Sequence, residues 1–108
     1  MTRYFLTFDY AATGNGITTA IGIVDANTES EAKIEFLRKV LGWRMSDQYS
    51  MDYFIVGVEA HDLTRDGNIE QMMSKLNKVL SSESAKSIMR AVTTNTGFCE
   101  LFYIFSVN

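Results

Sequence analysis

Cysteine and histidine each occur once in the 108-residue chain, as Cys99 and His61. A single cysteine cannot form an internal disulfide, and Cys99 lies in an apolar, strand-like run where a small buried side chain is expected. Zinc needs about four His or Cys ligands, more than the chain supplies. This composition is typical of a reducing cytoplasm, and we expect no metal or other cofactor.

Long apolar runs and clustered basic residues are also missing. Before Asp9 the only apolar run is Tyr4 to Phe8, which is shorter than a signal-peptide core, and no later stretch approaches the ~18 apolar residues of a membrane span. The formal net charge of -3 and the pI near 5.0 disfavour phosphate backbones as the main ligand. We therefore expect a cytoplasmic protein whose partners include neither membrane nor nucleic acid.

The composition is that of one globular domain covering residues 1 to 108, with 46% hydrophobic and 21% charged residues. Between Arg3 and Val24, apolar side chains alternate with other residues along two arms that flank Thr13-Gly14-Asn15-Gly16. This pattern predicts a β-hairpin. Thr28 and Glu31 have the spacing of a capping box and predict a helix that ends near Leu41. The segment Trp43 to Ser50 has no period and is interpreted as a loop.

The second half of the chain predicts two more strands around two helices. Met51 to Ala60 is rich in aromatic and β-branched residues and is interpreted as the third strand. A polar turn from His61 leads to a helix capped by Asn68, and Ser81 to Ser84 should separate it from a further helix. Gly97 to Val107 is apolar on both sides and is expected to be a central strand.

The predicted fold is therefore an α+β two-layer sandwich. It has a mostly antiparallel, four-stranded sheet in the order β-β-α-β-α-α-β, with two or three helices on one face. This element order differs from the βαββαβ arrangement of ferredoxin-like sandwiches, so the architecture implies no function.

Side-chain alternation predicts that the other sheet face is open and carries the working surface. Small residues at Ala20, Gly22 and Gly57 would leave a depression there. The predicted partner or ligand residues are Phe5, Tyr53, Ile55, Phe98, Glu100, Phe102, Ile104, Asp9 and Glu59. A homodimer packing two such faces together is the first interpretation, followed by a different protein partner and by a small ligand. In the alternative, Trp43 to Ser50 or the C-terminal helix folds across the face and finishes the core.

Three chemical hypotheses compete with simpler interpretations. Asp62 to Glu70 matches the first nine positions of a calcium loop, but Met73 stands where the bidentate carboxylate belongs, and a turn with a helix cap is favoured. His61 would have to serve any nucleophilic triad, although a surface role is more typical of a lone histidine. Two of the three carboxylates Asp9, Glu59 and Glu100 could form an acid/base pair. No residue is predicted to be catalytic.

We expect a small, acidic, non-enzymatic binding or interaction protein that acts through the open sheet face, most simply as a homodimer. Its size and acidity also resemble those of inhibitors or accessory proteins of phages and mobile elements. The alternative function is a small-molecule-binding protein or an acid/base enzyme with its carboxylates on the same face.

Overall fold

The computed structural model describes residues 1–11, 17–41, 54–95 and 97–107. Its elements are, in chain order, β1 (Thr2–Ala11), β2 (Ile17–Ala26), α1 (Glu29–Leu41), β3 (Glu59–Asp62), α2 (Asn68–Val79), α3 (Ser82–Thr94) and β4 (Glu100–Val107). These elements confirm the α+β class and the predicted order. The predicted hairpin turn, the Trp43 to Ser50 loop and Met51 to Tyr53 lie outside the described residues.

The four strands form one sheet in the order β3-β1-β2-β4, and all neighbours are antiparallel. The hairpin register pairs Tyr4 with Val24 and Leu6 with Gly22, so even-numbered residues of β1 share a face with even-numbered residues of β2. β3 and β4 are the edge strands. The prediction that β4 is central is therefore wrong.

Helices cover both faces of this sheet. The core beneath α1 contains Leu6, Phe8, Ala20, Val24, Phe36 and Leu37. The core beneath α2 and α3 contains Phe5, Ile21, Ile23, Met72, Leu76, Ala85, Ile88 and Val92. The prediction of helices on one face only is thus corrected. Coverage on both sides also explains why β4 has apolar residues at both odd and even positions, since Phe102 packs toward α1 and Leu101 toward α2 and α3.

The third strand begins later than predicted, at Glu59, and it continues through His61 into the segment predicted as a polar turn. Phe54 and Ile55 are helical instead. A turn follows them, in which the Gly57 N–H donates to the Phe54 carbonyl at 3.0 Å. A short apolar run suits a buried helical turn as well as a strand. For this reason the sequence pattern placed the start of the third strand too early.

Two of the three predicted helix starts are confirmed by their caps. Thr28 Oγ1 accepts from the Glu31 N–H at 3.1 Å, and Ser81 Oγ accepts from the Ser84 N–H at 3.2 Å. The break between α2 and α3 is therefore confirmed. The predicted Asn68 cap is wrong. The residue before α2 is Gly67, which has a left-handed conformation (φ 86°), and the Asn68 amide donates to the Asp62 carbonyl at 2.7 Å.

None of the described helices combines the length and apolarity that crossing a membrane requires.

Candidate functional site

Phe5, predicted to lie on an open face, is instead fully buried beneath α2 and α3. Its ring stacks on His61 of β3, with the ring centroids 6.3 Å apart. The prediction of an open face is therefore wrong here. The alternative in which a C-terminal helix finishes the core describes this side of the sheet correctly.

Phe102 lies on the opposite face, beneath α1. Its ring stacks on that of Phe36 with centroids 6.3 Å apart, and a Cβ added to Gly22 would lie 2.7 Å from Cε1 of Phe36. The depression predicted at Ala20 and Gly22 is thus filled by a helix residue. Ile104 pairs with Ala20 in the strand register. The predicted surface therefore combines residues from two faces of the sheet.

The other apolar residues of the predicted surface are scattered. Ile55 packs at the margin of the core beneath α1, and Tyr53 lies outside the described residues. Phe98 precedes β4 and is 63% exposed. With Met1 and Arg3 it lines a shallow depression at the end of the sheet. These residues do not form one site.

Asp9 and Glu59 both line one groove, which differs from the open face predicted for them. The groove has a volume of about 280 Å³ and lies between the hairpin end of the sheet and the C-terminal half of α2. Its polar lining also includes Lys75 and Lys78 of α2, together with Thr7 and Thr19. The two lysines were missed as site residues because their helical spacing indicates only a solvated face.

Glu59 is held as a carboxylate within this groove. The hydrogen bond and the positive charge of Lys75 lower the pKa of Glu59, and burial opposes them weakly. On the other side, Nε2 of His61 lies 3.9 Å from the Glu59 carboxylate and is buried without a hydrogen-bond partner in the described part of the chain. The described contacts of His61 are therefore the stacking on Phe5 and the proximity of the Glu59 carboxylate.

Glu100, the third predicted carboxylate, lies away from Asp9 and Glu59, on the face covered by α1. Burial raises the pKa of Glu100, and the hydrogen bond that protonated Glu100 donates to Glu35 of α1 and the charge of Glu35 raise it further, while Lys39 opposes them. One Glu100 oxygen is buried with no partner among the described residues. The predicted trio of carboxylates is thus split, and Glu35 is the neighbour that sequence reasoning missed.

Arg3 forms the most extensive polar contact in the described structure. Its guanidinium makes a bidentate ion pair with Asp25 at 2.8 and 2.9 Å and donates to the carbonyls of Val92, Asn95 and Gly97. Burial alone would raise the pKa of Asp25, but the bonds from Arg3 and the Cys99 N–H lower it. This cluster ties the end of α3 to the sheet, which is a structural role.

The Asp62 segment has the geometry of a turn. Its carboxylate accepts from the N–H and the hydroxyl of Thr64 at 2.8 and 2.6 Å, and these bonds lower the pKa of Asp62. Within the described ranges no group of three or more His, Cys, Asp or Glu side chains is placed to hold a metal.

The two edges of the sheet differ in how their backbone groups are used. The Asp25 N–H donates to the Cys99 carbonyl at 3.1 Å, which places the odd residues of β4 in the hydrogen-bonded pairs with β2. The N–H and C=O groups of the even residues therefore point away from the sheet. These residues are Glu100, Phe102, Ile104 and Ser106.

No described strand pairs with the outer side of β4 or of β3, but the β3 edge is short and its last carbonyl is used by the following turn. The Asp62 carbonyl accepts from the Arg65 N–H and from the Asn68 amide. β3 is also only four residues long and carries three ionisable side chains. Short, charged edges resist strand addition, while β4 has eight residues, no proline and one charge.

Comparisons with family models, with curated proteins and with solved structures found no match to this chain. The functional argument therefore depends on the geometry of the groove and of the β4 edge.

Proposed function

We propose that this protein is a small interaction protein without catalytic activity, and that its binding element is the outer edge of β4. The observation that carries the proposal is the row of four residues whose backbone donors and acceptors point away from the sheet, with no described strand beyond them. An extended segment that pairs with such an edge gains main-chain hydrogen bonds along its whole length.

A second copy of the chain is the partner that fits this edge best. Two β4 strands related by a two-fold axis through Tyr103 can pair antiparallel over seven of their eight residues, from Glu100 to Ser106. Glu100 then faces Ser106 of the other copy, and Phe102 faces Ile104. The single charge of β4 therefore avoids its own copy, and the two four-stranded sheets join into one of eight strands.

The experiment is light scattering coupled to size exclusion, at protein concentrations up to about 100 μM so that micromolar dissociation constants are detected. We expect a mass near twice 12.2 kDa. Ser106→Pro removes one outward N–H at an edge position that tolerates proline, and the variant should dissociate about tenfold more readily or worse. Ser106→Ala keeps that N–H and should remain dimeric.

A wild-type chain that stays monomeric over the whole range contradicts the homodimer. A Ser106→Pro variant that dimerises as well as Ser106→Ala contradicts the use of the β4 edge. Thermal melting of both variants separates a loss of pairing from a loss of folding.

A further inference from the structure

The groove between the β1–β2 hairpin end and α2 has the charge pattern of a binding site. Asp9 and Thr19 form one rim, Lys75 and Lys78 of α2 form the other, and Ile21 contributes an apolar patch. Its volume of about 280 Å³ is just below the range of about 300–1,000 Å³ that accommodates drug-sized ligands. A molecule in this groove would therefore be small.

One pair of charges in the groove is already neutralised, since Lys75 donates to the Glu59 carboxylate. Among the described residues, neither Asp9 nor Lys78 has such a partner. Asp9 Oδ1 accepts from the Thr19 hydroxyl at 2.8 Å, and no described cation pairs with this carboxylate. Within the described residues Lys78 likewise forms no ion pair. The groove thus offers one uncompensated carboxylate and one uncompensated ammonium group.

The formal charges of the four ionisable residues sum to zero, and this balance selects the ligand. A simple anion would be attracted by Lys78 and repelled by Asp9 and Glu59. A simple cation would be attracted by Asp9 and repelled by the two lysines. A molecule that carries both charges can pair with Asp9 and with Lys78 at once, through charge-assisted hydrogen bonds.

We propose that this groove binds a small zwitterion of the α-amino acid class, whose ammonium group pairs with Asp9 and whose carboxylate pairs with Lys78. The hydroxyls of Thr7 and Thr19 provide further polar contacts, and Ile21 and Val79 provide an apolar wall for a side chain. The site contains no residue of β4, so it is independent of the proposed dimer.

The test is a titration of the ¹⁵N-labelled protein with each proteinogenic L-amino acid in turn, to about 10 mM, followed by NMR. We expect at least one amino acid to shift the amide signals of Thr7, Thr19 and Val79. The amine and the acid that each lack one charge of that amino acid should bind about tenfold more weakly or worse. Asp9→Asn and Lys78→Gln should each weaken binding by a similar factor.

Lys86→Gln is the matched control, because Lys86 is an exposed lysine of α3 that does not line the groove. Its affinity should equal that of the wild type. The proposal is overturned if no amino acid shifts the groove amides, if a singly charged analogue binds as tightly, or if the groove variants behave like Lys86→Gln.

Discussion

Gly22 is the residue that allows α1 to lie close to the sheet. A Cβ at this position would come 2.7 Å from Cε1 of Phe36 and 3.4 Å from Cδ1 of Phe102. Both rings are packed in the core beneath α1, so neither can withdraw without moving its neighbours. The predicted role of Gly22 in a ligand depression is replaced by this helix contact.

Gly22→Ala should therefore destabilise the protein by about 1–3 kcal/mol, the usual cost of overpacking a core. The measurement is chemical denaturation of the variant and the wild type. Gly97→Ala is the control, because the nearest atom to its added Cβ is Asn95 Oδ1 at an ordinary 3.6 Å. If Gly22→Ala costs no more than Gly97→Ala, α1 does not pack as closely as described.

Glu100 is predicted to make the stability of the protein depend on pH. Its pKa is raised in the folded state by burial and by Glu35, so folding favours the protonated form. The ionised side chain consequently costs stability at neutral pH, and this cost disappears as the pH falls through the folded pKa. Glu100→Gln removes the charge and keeps a donor for Glu35.

Glu100→Gln should stabilise the protein at pH 7 by about 0.5 kcal/mol or more, the scale of a like-charge contact. Denaturation curves from pH 7 to pH 4 should show this advantage shrinking with acidity. Glu31→Gln, which replaces an exposed carboxylate of α1, is the control and should not stabilise the protein at pH 7. A constant advantage of Glu100→Gln at every pH would contradict the assigned cause.

At the scale of elements, Arg3 joins three parts of the fold. It lies on β1, pairs with Asp25 of β2, and binds carbonyls at the C-terminal end of α3 and in the segment before β4. The side chains of Arg3 and Asp25 are 17% and 10% exposed, so removal of either charge leaves the other largely buried and unpaired.

Arg3→Gln should cost about 3 kcal/mol of the free energy of unfolding, which is typical for breaking a buried ion pair. Hydrogen exchange should also accelerate in the last turn of α3. Arg65→Gln is the matched control, because Arg65 is 81% exposed and its contact with Asp62 is 3.9 Å long. That surface pair should contribute less than about 1 kcal/mol. Equal effects of the two variants would show that the Arg3 cluster is not a structural tie.

Local patterns predicted the elements well because each signal depends on neighbouring residues. The cap at Thr28 and the break at Ser81 are examples, since a hydroxyl three residues before an N–H needs no tertiary information. The third strand was misplaced because the run from Phe54 to Val58 lacks a decisive period. Its residues instead form a turn, in which Val56 is 85% exposed.

The candidate site was harder to predict because it depends on strand register. A shift of one residue moves every side chain to the other face. The register actually pairs Arg3 with Asp25 and Phe8 with Ala20, whereas the predicted face combined odd residues of β1 with even residues of β2. The charge pair at Arg3 and Asp25 was the signal that could have set the register from the sequence.

On the scale of the whole molecule, both sheet faces are covered by helices, and the edge at β3 is only four residues long, with its Asp62 carbonyl bonded to the following turn. The described structure leaves the β4 edge as the long backbone surface without a strand partner. An apolar strand of this length is prone to add a further strand. We therefore propose the β4 edge, and not a sheet face, as the interaction surface.

The proposed pairing makes one geometric prediction about the assembled molecule. If the two-fold axis passes through Tyr103, this residue faces its own copy in a non-hydrogen-bonded pair with Cα atoms about 4.5 Å apart. That spacing lies within the range of about 4.4–6.8 Å that a disulfide spans. Leu101 and its copy are then offset by four residues, or about 13 Å along the strand. Tyr103→Cys should therefore form a disulfide-linked dimer in air, and Leu101→Cys should not.

Non-reducing electrophoresis measures this difference, with the wild type as the baseline because its Cys99 is buried. Thermal melting confirms that both variants fold. Linked dimers from Leu101→Cys as abundant as those from Tyr103→Cys would indicate random collisions, and their absence from both would exclude an axis at Tyr103. Selective linkage through Tyr103 requires two edges to meet in one register, which places the charge of Glu100 opposite Ser106 and apart from its own copy.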